Sequence, residues 1–188
     1  MGHDYVRTIK IACLGENAYR PLLKSPGNTG RIRFLLKLFP NAKFIHIYRE
    51  PRVVFASMFY TYGKLMDAWK FQDISSEEVQ EHVLYGYEML MKRYFEDRDL
   101  IPAENLIEVR YEEFEREQFD TLRHIYQKLD IPEFEQWAPD FKDYIAQASG
   151  YRKNRHELTP KQVEAVRTRW GFAMERLGYS FDKDFYKV

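Results

Sequence analysis

Four positions carry residue types that suit the chemistry of anions. Arg49 closes the apolar run Phe44-Ile45-His46-Ile47-Tyr48 and directly precedes Glu50-Pro51, and Ser57 lies eight residues beyond it. Lys24 follows the short run 20–23, and Arg110-Tyr111 closes the run 106–109. Arg49, Lys24 and Arg110 with Tyr111 each stand where an extended stretch gives way to a loop or a helix. Arginine and lysine make charge-assisted hydrogen bonds to phosphate or sulfate, and a helix N-terminus adds unpaired N–H groups and the positive end of its dipole. Ser57 falls on the second turn of the helix that Pro51 opens. Helical side chains lean toward the N-terminus, so Arg49 and Ser57 are expected to share one phosphate.

Ordinary alternatives stand beside these roles. Arg49 suits a surface pair with Glu50 or a helix carboxylate, Lys24 suits solvent, Ser57 suits a bond to its own turn, and Tyr111 reads equally as a core aromatic. His46 alternates within an apolar strand and is read as a satisfied core histidine rather than a catalyst.

The elements that must position these residues alternate along the chain. Residues 5–14 have helical apolar spacing with Gly15 as C-cap, and 20–23 is a brief strand candidate. Lys24-Ser25-Pro26-Gly27-Asn28 is a loop, and Asn28 or Thr29 is placed to cap a helix carrying Ile32, Leu35, Leu36 and Phe39 on one face. Residues 43–48 are apolar, β-branched and aromatic, the pattern of a buried parallel strand. Pro51 fits a first helical turn, continued by Val53, Val54, Ser57 and Met58. Ser75-Ser76-Glu77-Glu78 is a capping box opening a long crossover helix to about residue 97, with Val79, Val83, Leu84, Tyr87, Leu90, Met91 and Tyr94 apolar. A third strand is expected at 106–109. Helices follow near 119–129, 134–148 with an interruption at Pro139, and 160–177 between Thr159 and Gly178. The sum is an α/β fold: a small parallel sheet of three strands flanked by helices, with a helical C-terminal part.

Composition bounds the function. A chain of 188 residues, 45% hydrophobic, can bury the core of a single domain spanning residues 1–188. Its 29 basic and 29 acidic residues cancel, which argues against nucleic acid or an anionic membrane as partner. The single cysteine, Cys13, forms no intramolecular disulfide and suggests no metal site. With no long apolar run and no signal pattern, a cytoplasmic location is expected. The 14 Tyr and 14 Phe read as core rather than as base-stacking surface.

At Leu22-Leu23-Lys24-Ser25-Pro26-Gly27-Asn28-Thr29-Gly30-Arg31, the turn Phe39-Pro40-Asn41-Ala42, and Phe44 to Tyr48 with Arg49-Glu50-Pro51-Arg52 and Ser57, the chain resembles a known family. These are the sulfotransferases that use 3′-phosphoadenosine 5′-phosphosulfate, especially their bacterial and Golgi-type branch. The resemblance implies a P-loop NTPase-like three-layer fold. It also implies that Arg49 and Ser57 bind the 3′-phosphate and that Lys24 acts catalytically beside the transferring sulfuryl group. Val109-Arg110-Tyr111-Glu112-Glu113-Phe114 is similar to the strand whose tyrosine contacts the adenine, which assigns Tyr111. Gly150-Tyr151-Arg152-Lys153-Asn154-Arg155-His156 is similar to the basic loop over the 3′-phosphate, which assigns Arg152 and Lys153, although the common Arg-Lys-Gly reads Arg-Lys-Asn here.

Two departures matter. No Gly/Ser/Thr-rich phosphosulfate loop precedes Lys24, so the domain is expected to be N-terminally incomplete and its catalysis impaired. Pro26 and Asn28 stand where many members have a catalytic histidine, which leaves His156 as a candidate base. The implied reaction is in-line attack of an acceptor hydroxyl on sulfur, with adenosine 3′,5′-bisphosphate leaving. The acceptor is expected to be a small-molecule or glycan hydroxyl. The alternative is a non-catalytic nucleotide-binding or protein-interaction module, with a homodimer through an uncovered sheet edge. A kinase-like P-loop protein is disfavoured by the absent Gly-x-x-x-x-Gly-Lys loop.

Overall fold

The computed structural model describes residues 2–15, 20–69, 71–148, 150 and 157–180. Strand β1, Phe44–Tyr48, and strand β2, Leu106–Arg110, pair in parallel with Phe44 opposite Leu106 and Tyr48 opposite Arg110. A parallel pair needs a long crossover, and two helices supply it: α3, Pro51–Trp69, and α4, Ser76–Asp97. Ser75 opens α4 with the expected capping box, its Oγ accepting from the Glu78 N–H while the Glu78 carboxylate accepts from the Ser75 N–H. Before β1 come helix α1, Gly2–Gly15, and helix α2, Ile32–Leu38. After β2 come α5, Tyr111–Arg116, α6, Gln118–Lys128, α7, Phe134–Ala148, and α8, Pro160–Arg176. Thr159 caps α8 reciprocally with Gln162.

Among the described residues the sheet has two strands, not three. The run 20–23 forms no strand: Pro21 has no N–H for a ladder, and Leu22 and Leu23 are exposed, with no neighbouring strand to bond and no layer to cover them. The cap expected at Asn28 or Thr29 is also absent. Pro26–Gly30 is a 3-10 turn, and α2 begins after Arg31 without a side-chain cap. The turn packs closely on α4: a Cβ on Gly30 would lie 2.9 Å from Cδ2 of Leu90, so a side chain there would need the leucine to shift. Pro139 sits inside α7 without interrupting it. The proline is exposed, so the Glu135 carbonyl that loses its helical partner can turn to water.

Helices cover one face of the sheet along both strands and the other face along β2 only, leaving Ile45 and Ile47 of β1 exposed. Ile107 and Val109 pack on Ile125 and Leu129 at α6, while Phe44, Tyr48 and Leu106 pack on the opposite side against a cluster of Ile32, Met91, Tyr94, Ala173 and Leu177. A third cluster joins α3, α4 and α8 around Trp170, which is fully buried. Its indole N–H donates to the Leu84 carbonyl at 2.9 Å, and its ring stacks on Tyr87 at 3.9 Å between centroids. Much of the aromatic content is therefore core, as its abundance suggests. The Arg33 Nε donates at 2.6 Å to Asp97, which is almost wholly buried, and this contact ties α2 to the end of α4. No described helix is long and apolar enough to cross a membrane.

Candidate functional site

The parallel register brings the chain beyond Tyr48 beside the chain beyond Arg110. Arg49 and Tyr111 are the next residues on each side, and the Arg49 guanidinium carbon lies 4.7 Å from the centre of the Tyr111 ring. A cation over an aromatic face is stabilised by about 0.5–1 kcal/mol, and a guanidinium has five N–H donors, so those directed away from the ring can donate to an anion. Tyr111 is the first residue of α5, so its position follows from the end of β2.

Glu50 changes the expected role of the α3 N-terminus. Its carboxylate folds back onto that helix: Oε1 accepts from the Arg52 backbone N–H at 3.2 Å and from Arg52 Nε at 2.7 Å, and Oε2 accepts from the Val53 N–H at 3.1 Å. The anion satisfying these N–H groups is the protein's own. An incoming anion at the end of β1 would meet the Arg49 side chain rather than the Arg52 and Val53 amides.

Glu112 joins three segments. Its Oε1 accepts from the Glu50 N–H at 3.1 Å, and its Oε2 accepts from the Tyr179 hydroxyl at 2.8 Å. Arg110 covers the Tyr179 ring at 4.1 Å and donates through Nη2 to the Gly178 carbonyl at 3.1 Å. Gly178 adopts φ of 71°, a left-handed conformation that glycine takes without strain and that turns the chain at the end of α8 toward the strand ends. Burial pushes the Tyr179 hydroxyl pKa up; Arg110 opposes this and Glu112 reinforces it. Tyr179 therefore remains a neutral donor.

His46 is a core residue with an unexpected feature. Its ring lies 3.9 Å from that of Tyr94 between centroids, yet its buried Nδ1 has no hydrogen-bond partner, and Glu108 Oε1 stands 3.8 Å away, too far for a hydrogen bond. The reading of a satisfied histidine is thus corrected. Glu108 itself accepts from the Tyr94 hydroxyl at 2.7 Å and from Arg98 at 3.1 Å. The hydrogen bond from Tyr94 and the charge of Arg98 hold its carboxyl below the usual range against the cost of burial.

The other expected site residues fall as follows. Ser57 is exposed as the seventh residue of α3, and Lys24 is exposed just ahead of the Pro26–Gly30 turn. Arg152, Lys153 and His156 lie outside the described residues. Glu112 and Tyr179 were not singled out as site residues from sequence. Glu112 had a signal in its place beside Tyr111, whereas Tyr179 had none beyond following a helix-ending glycine. Among the described residues no His, Cys, Asp and Glu group is placed to hold a metal ion.

Arg49 over Tyr111 puts a cation beyond the C-terminal ends of two parallel strands, the place where open α/β folds ordinarily take their ligands. The family model described as "Sulfotransferase family" matches residues 3–136, and the chain belongs to that family. It is 34% identical over 158 residues to the omega-hydroxy-beta-dihydromenaquinone-9 sulfotransferase Stf3 of Mycobacterium bovis, and equally to that of Mycobacterium tuberculosis. Each alignment covers 84% of this chain and 41% of the relative, so the chain spans about two fifths of the length of these relatives. The crystal structure of sulfotransferase STF9 from Mycobacterium avium superposes with a TM-score of 0.73 at 20% identity, covering 84% of this chain and 42% of that one. The fold is accordingly the α/β, P-loop NTPase-like fold of the sulfotransferases.

Proposed function

We propose that this chain binds the 3′-phosphoadenosine end of 3′-phosphoadenosine 5′-phosphosulfate and serves transfer of its sulfuryl group to an acceptor hydroxyl. The observation that carries this reading is Arg49 stacked on Tyr111 beyond the paired ends of β1 and β2. Arg49 supplies a planar donor to the 3′-phosphate, with Ser57 on the next helix as a hydroxyl donor. Tyr111 offers a ring edge or face to the adenine. Arg152 and Lys153 are assigned to the same phosphate by their motif.

In the reaction, an acceptor oxygen forms the new S–O bond as the bond to the 5′-phosphate oxygen breaks, adenosine 3′,5′-bisphosphate leaves, and the acceptor proton passes to a base. Lys24 offsets the charge that builds on the transferring group and the leaving oxygen. The relatives' name points to a hydroxyl on a small, apolar molecule as the class of acceptor. Binding is proposed ahead of turnover because the observation behind the reading, Arg49 over Tyr111, concerns a ligand contact and not a reacting group.

Isothermal titration of adenosine 3′,5′-bisphosphate against adenosine 5′-monophosphate tests the reading. The bisphosphate is expected to bind at least about tenfold tighter. Equal affinities would exclude a 3′-phosphate site.

A second reading, a non-catalytic nucleotide-binding or protein-interaction module, is favoured by one observation. Ile45 is 38% and Ile47 51% exposed on β1, while their partners Ile107 and Val109 on β2 are buried. Parallel strands are ordinarily covered on both faces, so this surface suits association, a homodimer included. Sedimentation showing a monomer at micromolar concentration would count against the dimer.

A further inference from the structure

Glu112 follows Tyr111 in the first turn of α5, and its two carboxylate oxygens go to two different segments of the chain. The N–H that its Oε1 accepts, the Glu50 amide at 3.1 Å, belongs to the peptide plane linking Arg49 to Glu50. Because that unit is planar, fixing its N–H fixes the rotation about the Cα–C bond of Arg49. Two consecutive residues thus grip Arg49 at both ends: Tyr111 under the guanidinium, Glu112 on the peptide. A carboxylate held by one oxygen alone swings. The Tyr179 hydroxyl, 2.8 Å from Oε2 and itself covered by Arg110, removes that freedom.

We propose that Glu112 is a positioning residue for Arg49, braced by Tyr179, so that the segment after α8 takes part in shaping the anion site. The proposal rests on Arg49 as the 3′-phosphate ligand. Charge and geometry make opposite predictions here. A carboxylate near an anion site repels the anion, so deleting Glu112 for its charge alone would tighten binding. Deleting it as a positioning group loosens Arg49 and weakens binding, because a preorganised ligand avoids the cost of ordering on contact.

The experiment titrates the wild type, Glu112→Ala, Glu112→Gln and Tyr179→Phe with adenosine 3′,5′-bisphosphate and adenosine 5′-monophosphate, and follows exchange of the Glu50 amide by NMR. Glu112→Ala is expected to reduce the preference for the bisphosphate about tenfold and to speed Glu50 exchange. Glu112→Gln, whose amide oxygen still accepts from the Glu50 N–H, should restore most of both, and Tyr179→Phe should fall between. Bisphosphate binding by Glu112→Ala that equals or exceeds the wild type would overturn the positioning role. If the wild type shows no preference, the phosphate reading fails. Glu50 exchange then still decides whether Glu112 holds the Arg49 peptide, and unchanged exchange overturns that. Should Glu112→Ala not fold, the glutamine and phenylalanine variants give the same two readouts.

Discussion

The Arg49 guanidinium lies 4.7 Å above the Tyr111 ring, although 61 residues separate the two along the chain. Their adjacency is a consequence of parallel pairing. Arg49→Lys is expected to weaken adenosine 3′,5′-bisphosphate binding about tenfold, because an ammonium neither stacks as well on tyrosine nor donates two parallel hydrogen bonds. Arg49→Ala should remove the preference over adenosine 5′-monophosphate altogether. Titration calorimetry reads both, and undiminished preference in the alanine variant would remove Arg49 from the site.

Ser57 offers a test uncomplicated by folding. It is exposed, so Ser57→Ala should leave the thermal midpoint unchanged within about a degree while lowering bisphosphate affinity at least about tenfold, the worth of one hydrogen bond to a charged group. A lowered midpoint with unaltered affinity would make it an ordinary helix serine.

Trp170 joins three helices and also holds α8, whose end delivers Tyr179 to the site. Trp170→Ala should cost about 3–5 kcal/mol of stability, the range for deleting a large buried aromatic. Denaturant unfolding measures it, and a cost below about 1 kcal/mol would show that α8 is not anchored there.

Acid should loosen the same helix. Arg169 of α8 donates to Glu88 and Glu81 of α4, and Lys92 also donates to Glu88 at 2.6 Å. Lys92 first, then Arg169, hold the Glu88 carboxyl below the usual range against burial. A lowered folded pKa means that the stabilisation is fully present above the unfolded value, about 4.3, and is lost as pH falls through the folded value. The stability gap between wild type and Glu88→Gln should therefore be wide at pH 7 and narrow below about pH 4. A gap independent of pH would place Glu88 outside the linkage.

What could be read along the chain was local. β1, the Pro51 helix start, the capping box at Ser75 and the cap at Thr159 depend on residues within a few positions of one another, and the structure has them where their patterns put them. The run 20–23 shows the opposite case. Its residues suit a strand, but a strand exists only when another lends it hydrogen bonds, and Leu22 and Leu23 remain exposed. The cap expected at Asn28 or Thr29 is likewise not made, because those residues lie inside the 3-10 turn Pro26–Gly30 and the helix begins only after Arg31.

By itself the sequence marked the candidate residues: the cation Arg49 at a strand end, the hydroxyl of Ser57 on the following helix and the ring of Tyr111 after the second strand, each by its immediate neighbours. Only the tertiary structure decided what surrounds them. Glu50 occupies amides at the start of α3, Glu112 takes the Arg49–Glu50 peptide, and Tyr179 arrives from the far end of α8 to brace it. These contacts join segments up to 67 residues apart, and such partners are chosen by strand register and helix packing rather than by any local pattern.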